Sequence, residues 1–302
     1  MMVARKKPNP EQNIPIPLFP EATFSTPQLA HLGASFNDPA FAANKTFPFH
    51  RWVPWIAGFS RDFVQDALHR FAPPHGVVLD PFAGVGTTLI EAMFAGHQAI
   101  GFEINPYASF ASTTKMSAST LSTSQIWREI AHFGTFCAEK TQSPYHPQHI
   151  PPLGFKTRAD FYSAAVLHKV LMAQDFIATM EDAKMRDLFR LAFAATMVRY
   201  SNYSYEPSLG RRVSSGKEAI IDFPVAETIA AKLEEMATDI EWLHHYQPEH
   251  AYQGDIINDT FFNYHQHLEP NSVDVVITSP PYLNNYHYNR NTRPQMLSLI
   301  HI

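Results

Sequence analysis

Cysteine is nearly missing: Cys137 is the only one in 302 residues. That excludes a disulfide framework and any cysteine-based zinc cluster, and a reducing cytoplasm is the expected compartment. Positive charge is also in short supply. Lysine and arginine total 23 against 28 acidic residues, giving a net charge of −5 and a pI of about 6.3. A protein that grips nucleic acid through bulk charge is basic. Any such grip must therefore be confined to one cleft, and non-specific nucleic-acid binding should be weak. Long apolar runs are lacking too. The longest, near Leu188–Val198, contains Arg190 and falls far below the roughly 18–20 residues that cross a bilayer. The N-terminus MMVARKKPNPEQ is polar and has no apolar signal region, so a soluble protein with no membrane partner is expected. The 16 histidines are scattered, and pairs such as His244-His245 lack partners at ligand spacing. They read as surface or core histidines, with no metal site.

What is present can build a core: 45% of residues are hydrophobic and 17% charged, which excludes general disorder. Residues 1–45 are rich in Pro, Asn and Ala and read as an arm. Gly76–Asp80 (GVVLD) reads as a strand, Thr87–Gly96 as a helix with a glycine end, and Gln98–Ile104 as the next strand. Strand–helix–strand with short links predicts parallel pairing and a right-handed crossover. From 116 to 245 the pattern turns helical. One face carries Ile126, Ile130, Phe133 and Cys137; another Leu167, Val170, Leu171 and Ile177; a third Ile229, Leu233, Met236, Ile240 and Leu243. A loop, Ser201–Ala219, interrupts the helices. Strand signals return in Ala251–Ile256 and in Val273–Ile277, which runs into Thr278–Tyr286.

Two segments carry chemistry. LDPFAGVGTT, Leu79–Thr88, joins a strand end to a helix start, where the ligand crevice of a doubly wound sheet lies. Gly84 and Gly86 allow a tight turn and close approach of a ligand. Glu103 follows at the end of the second strand, 23 residues after Asp80, where a carboxylate can accept two ribose hydroxyls. A dinucleotide turn would need a third glycine where Leu89 stands, and no G-K-S/T string of a phosphate loop occurs. Asp80 would repel a pyrophosphate but suits a cation. S-adenosylmethionine, with its sulfonium and ammonium, fits that requirement.

The second segment is Ser279-Pro280-Pro281-Tyr282. The prolines fix the backbone and donate no N–H, so the Pro280 carbonyl points in a set direction beside the Ser279 hydroxyl. Two such acceptors can hold the N–H groups of an exocyclic base amine, whose lone pair is otherwise delocalised into the ring, so that it can take a methyl group. Tyr282 can stack on a base flipped from its helix.

These segments resemble the amino-group DNA methyltransferases. LDPFAGVGTT is similar to the family's cofactor motif, written DPF-x-G-x-G-T, and SPPY to its catalytic motif, in which Asp, Asn or Ser precedes Pro-Pro and an aromatic residue. The resemblance implies S-adenosylmethionine as cofactor, bound through Asp80, Phe82, Gly84, Gly86, Thr87 and Thr88, with Ser279, Pro280, Pro281 and Tyr282 catalytic. GFEINP resembles the ribose-binding segment, with Glu103 and Ile104, and QGDI the segment whose aspartate, here Asp255, reaches the adenine. HRWVPWIAGFS, His50–Ser60, is similar to the motif in which Phe59 and Ser60 would hold the methionine moiety. Serine before Pro-Pro is more typical of N4-cytosine than of N6-adenine enzymes; an RNA-directed enzyme and a non-catalytic nucleic-acid-binding relative are the other readings. DNA is the implied substrate, with a cognate restriction endonuclease as partner.

The implied fold is α/β, a Rossmann-like, mostly parallel sheet formed by residues 46–115 and 246–293. Residues 116–245 form a helical insertion suited to target recognition, with Arg211, Arg212 and Lys217 on phosphates and Tyr203 or Tyr205 near bases. The family's sheet has seven strands and four are countable here. A chain truncated after the catalytic motif is therefore expected, with one sheet edge open and a tail, 294–302, whose last residues are not native.

Overall fold

The computed structural model describes residues 44–55, 58, 60–151, 160–205, 209–246, 254–281 and 288–300. The N-terminal arm, except residues 44 and 45, lies outside them, as do Phe59 and Tyr282.

The chain runs α1 (Arg61–Phe71), β1 (Val77–Asp80), α2 (Thr87–Phe94), β2 (Gln98–Phe102) and α3 (Pro106–Ala118), followed by helices α4 (Thr123–Thr141), α5 (Ala164–Ala178) and α6 (Ala183–Thr196). A hairpin, β3 (Tyr203–Tyr205) and β4 (Leu209–Arg211), precedes α7 (Val225–Tyr246). The last elements are β5 (Gly254–Ile257), β6 (Val275–Val276) and α8 (Tyr288–Ile300).

Helix starts follow from capping chemistry. Ser60 accepts from Phe63 N at 3.2 Å and opens α1. Asn105 accepts from the backbone of Tyr107 and Ala108, with Pro106 next to it, and opens α3. The four core strands lie in the order β5-β2-β1-β6, and every pairing is parallel. β1 and β2 are largely buried, as the apolar VVL and AIGF runs predict for a sheet covered on both faces.

The strand order fixes where a ligand can sit. From β1 the chain moves outward to β2 and β5, then returns to the other side of β1 as β6. The gap between β1 and β6 is therefore the topological switch point, and the crevice opens at their carboxyl ends.

The helical stripes bury as patterned. Ile126, Phe133, Ile229, Leu233, Met236, Ile240 and Leu243 are all fully buried. In α5 the buried face is turned from the expected one: Leu167 and Leu171 are half-buried, while Val166, Val170 and Ile177 are buried. These helices and the sheet share one core, so the insertion is no separate appendage. Asp239 of α7 locks it to the segment before α1. Its carboxylate accepts from Phe49 N at 2.9 Å, Trp52 Nε1 at 2.8 Å and the Arg51 guanidinium. Phe49 there has φ 62°, the left-handed region, and stacks on Trp52 with ring centroids 4.6 Å apart.

Three expectations change. Ser201–Ala219, expected as a loop, holds the β3–β4 hairpin; two three-residue strands are too short to show a period. The Val273–Ile277 strand shrinks to Val275–Val276, although Asp274 N and Ile277 N still bond to Val77 O and Leu79 O. Residues 294–300, expected in a tail, continue α8 with Pro294 inside it. That helix presents a polar buried face of Asn291, Thr292, Gln295 and Ser298, which no apolar periodicity could reveal. Among the described residues no helix is long and apolar enough to cross a membrane, and none of the His, Cys, Asp and Glu groups could hold a metal ion.

Candidate active site

Asp80 ends β1 and is fully buried. Its Oδ1 accepts from Phe82 N at 3.0 Å and from Thr278 Oγ1 at 2.7 Å, and its Oδ2 from Thr88 Oγ1 at 2.6 Å. Thr88 lies in the first turn of α2, and Thr278 immediately precedes Ser279. One carboxylate thus ties the glycine turn to the proline loop, and the two segments stand at neighbouring strand ends. Asp80 positions both; with no exposed surface and three donors already bound, it is not a direct partner for a cation. Burial raises its pKa, and the bonds from Thr88, Thr278 and Phe82 lower it part of the way back.

The turn is shaped by what surrounds it. Gly84 and Gly86 have φ of +53° and +85°. A Cβ on Gly86 would sit 2.9 Å from Ser112 Oγ, and one on Gly84 3.3 Å from Trp55 Nε1. Below the turn, α3 supplies two supports that motif reading missed. Ser112 donates to Gly84 O at 2.9 Å, and the buried Lys115 donates to Val85 O at 2.9 Å. Burial lowers the Lys115 pKa to about 7, with the charge of Lys232 adding to the effect. The i, i+3 spacing of Ser112 and Lys115 on α3 was the available signal. Thr87 is buried beside Gly86.

Glu103 follows β2 directly. Its Oε2 accepts from Gly84 N at 2.8 Å and its Oε1 from Asn105 N at 2.7 Å. A carboxylate has about four lone-pair sites, so with these bonds and one from the Ile104 backbone it still has room to accept from a ligand hydroxyl. Burial raises the Glu103 pKa, and the nearby Asp80 charge adds to that, against the lowering bonds from Asn105 and Gly84. Phe82 and Ile104 are 40% and 65% exposed, so apolar surface is open close to this carboxylate.

The structure does not bring Asp255 to this end. It pairs with Ile100, three residues short of Glu103, so about 10 Å of strand separates the two levels. Ile257 pairs with Phe102, which sets Asn258 and Asp259 at the level of Glu103, and Asn258 Nδ2 donates to Glu103 O at 2.7 Å. Asp259 accepts from Asn263 Nδ2 at 3.0 Å and His267 Nε2 at 3.1 Å, bonds that lower its pKa. Strand register decides this point, and the sequence string does not state it.

Ser60 is 2% exposed and serves as the α1 cap. Ser279 is half-buried, and Pro280 and Pro281 are exposed. Arg211 is exposed on β4, opposite Tyr203. Arg212 Nε donates to Glu218 O at 3.1 Å, and Lys217 N bonds to Arg212 O at 3.0 Å.

The family of DNA methylases of the N6/N4 type matches residues 43–112. The type II methyltransferase M.BsoBI of Geobacillus stearothermophilus is 25% identical over 274 residues, covering 83% of this chain and 52% of that protein. The type II methyltransferase M.AvaI of Nostoc sp. is 36% identical over 87 residues, 28% of this chain and 18% of that protein. The chain thus spans about half the length of the first of these relatives and less of the second. No solved structure matches it. Parallel strand order, two motifs at adjoining strand ends and these matches together make the chain similar to the amino-group DNA methyltransferases.

Proposed function

We propose that this chain carries the cofactor and catalytic segments of an enzyme that methylates the exocyclic amine of a DNA base, cytosine N4. The observation supporting this most directly is the Thr278–Asp80–Thr88 chain of hydrogen bonds, which holds both motifs at one crevice. S-adenosylmethionine, when bound, supplies the methyl group on a sulfonium. The residues present fit it: a turn with φ values suited to glycine at Gly84 and Gly86, a carboxylate with spare acceptors at Glu103, and exposed apolar side chains at Phe82 and Ile104. Asn258 and Asp259 take the place that the motif resemblance gives Asp255, at the ligand end of β5. To Phe59 and Tyr282, outside the described residues, we assign the roles the motif resemblance implies, holding the methionine moiety and stacking on the base.

Ser279 Oγ and the Pro280 carbonyl accept from the two N–H groups of the target amine. They orient its lone pair and add little basicity; methyl transfer would break the methyl–sulfur bond as the N–C bond forms, leaving a neutral thioether, and the amine proton would then pass to solvent. The type II methyltransferase relatives suggest a role in restriction and modification, with a cognate endonuclease as partner. Nucleosides from DNA incubated with the protein and labelled S-adenosylmethionine should contain 4-methylcytosine by mass spectrometry. Label in 6-methyladenine would overturn the base assignment, label in RNA the DNA assignment, and binding without label the enzyme itself.

The turn gives a separate prediction. Gly86→Ala forces an L side chain into the left-handed region, at about 1–2 kcal/mol, and drives Ser112 off the Gly84 carbonyl. S-adenosylmethionine affinity, measured by calorimetry, should fall roughly tenfold or more. An unchanged affinity would mean that the turn does not bear on the cofactor.

A further inference from the structure

The protein is acidic overall, yet one cleft collects cations. Lys45, Arg51, Arg199, Arg212, Lys217 and Lys232 line it, with Trp55, Tyr203 and Tyr205 among them, and no carboxylate does so among the described residues. Two of these charges are balanced within the fold: Arg51 is bound to Asp239, and Lys232 Nζ lies 2.6 Å from Glu235 Oε1. Of the others, Lys45 and Arg199 are exposed, and the Arg212 bond goes to a neutral carbonyl, Glu218 O. They come from separate parts of the chain: the segment before α1, the residues just after α6, and the β3–β4 hairpin with the turn that follows it. Cations spread over several segments, with aromatic rings between them, suit an extended polyanion better than a single phosphate.

The position of the cleft connects it to the crevice. Trp55 lines the cleft and also stands against Gly84 of the glycine turn. Tyr205, on the other side, accepts from Gln295 Nε2 at 2.9 Å and donates to Asn291 O at 3.0 Å, both on α8.

We propose that this cleft is the track for the sugar–phosphate backbone of the DNA strand that delivers its base to the crevice, with Lys45, Arg199, Arg212 and Lys217 on successive phosphates. The proposal rests on the methyltransferase reading and deepens it by naming where the substrate strand lies. It also alters the set read from sequence: Arg211 does not line the cleft, whereas Lys45 and Arg199, absent from that set, do.

The test uses the full chain and a fluorescent duplex, with binding followed by anisotropy across a salt series. Lys45→Ala, Arg199→Ala and Arg212→Ala combined should weaken binding roughly tenfold or more near physiological salt. The slope of log K against log salt should flatten by about 0.9 for each phosphate that is no longer neutralised. Arg211→Ala and Arg128→Ala, both exposed cations outside the cleft, should leave the slope unchanged, and S-adenosylmethionine affinity should be the same in every variant. A triple variant that keeps the wild-type slope while methyl transfer persists overturns the track and leaves the enzyme reading standing. A flattened slope in a protein that transfers no methyl group supports the track and overturns the enzyme reading. A slope that flattens only with single-stranded RNA overturns DNA as the occupant.

Discussion

Asp239→Ala is expected to lower the free energy of unfolding by about 4 kcal/mol, the cost of stripping one partner from a buried, hydrogen-bonded ion pair. Asp239 is 1% exposed, and Phe49 and Trp52, which it serves, are fully buried. Their N–H groups have no water to turn to, and each unmet donor costs about 1–3 kcal/mol. Arg51 loses less, since its side chain is 29% exposed and can swing toward solvent. The left-handed backbone at Phe49 adds to the effect, because such strain persists only while surrounding contacts hold it. Chemical denaturation would measure the loss. A change below about 1 kcal/mol, the scale of an exposed ion pair, would show that the clamp between α7 and the segment before α1 adds nothing to stability.

Asp80→Ala is expected to cost about 3 kcal/mol of stability and to reduce kcat/KM by roughly 100-fold or more, equivalent to about 2.7 kcal/mol in the barrier. Stability falls because three donors lose their acceptor in a fully buried site. Activity falls because Thr278 and Thr88 are no longer held together, and small displacements of reacting groups are expensive. Asp80→Asn keeps an acceptor for Phe82 N and Thr278, so its stability loss should be nearer ~1 kcal/mol.

The pH dependence separates the two effects. Because burial raises the Asp80 pKa above its ordinary 3.8, the folded protein holds that proton more tightly than the unfolded chain. The stabilisation from this group is complete below 3.8 and is lost as pH rises through the raised folded value. The stability advantage of wild type over Asp80→Asn should therefore shrink as pH rises through that interval. An advantage that grows instead would mean that hydrogen bonding outweighs burial at this carboxylate.

Sequence reading reached the parts of this molecule that depend on local chemistry. The β1–α2–β2 unit was legible because an apolar run, a glycine turn and a second apolar run occur in adjacent stretches, and a short crossover permits only one arrangement. SPPY could be placed on a strand end for the same reason. Asp255 shows the limit. The string QGDI matches a familiar segment, but which residue reaches the end of the sheet depends on how β5 registers against β2. Asp80 shows another: an acid before a glycine turn reads as a ligand, and only its three bound donors show it to be an internal tie. The basic cleft joins Lys45, Arg199 and Arg212 across more than 160 residues of chain, and no window of sequence holds that information.

Helix α8 begins seven residues after Pro281. It is attached to Tyr205 of the hairpin at one point and, through Thr292 Oγ1, to Asn105 Nδ2 behind Glu103 at another. The β3–β4 hairpin and the stretch that follows β2 are therefore braced against the same rod. A shift of the hairpin would therefore load α8 and be carried along one rod to Asn105, the cap of α3.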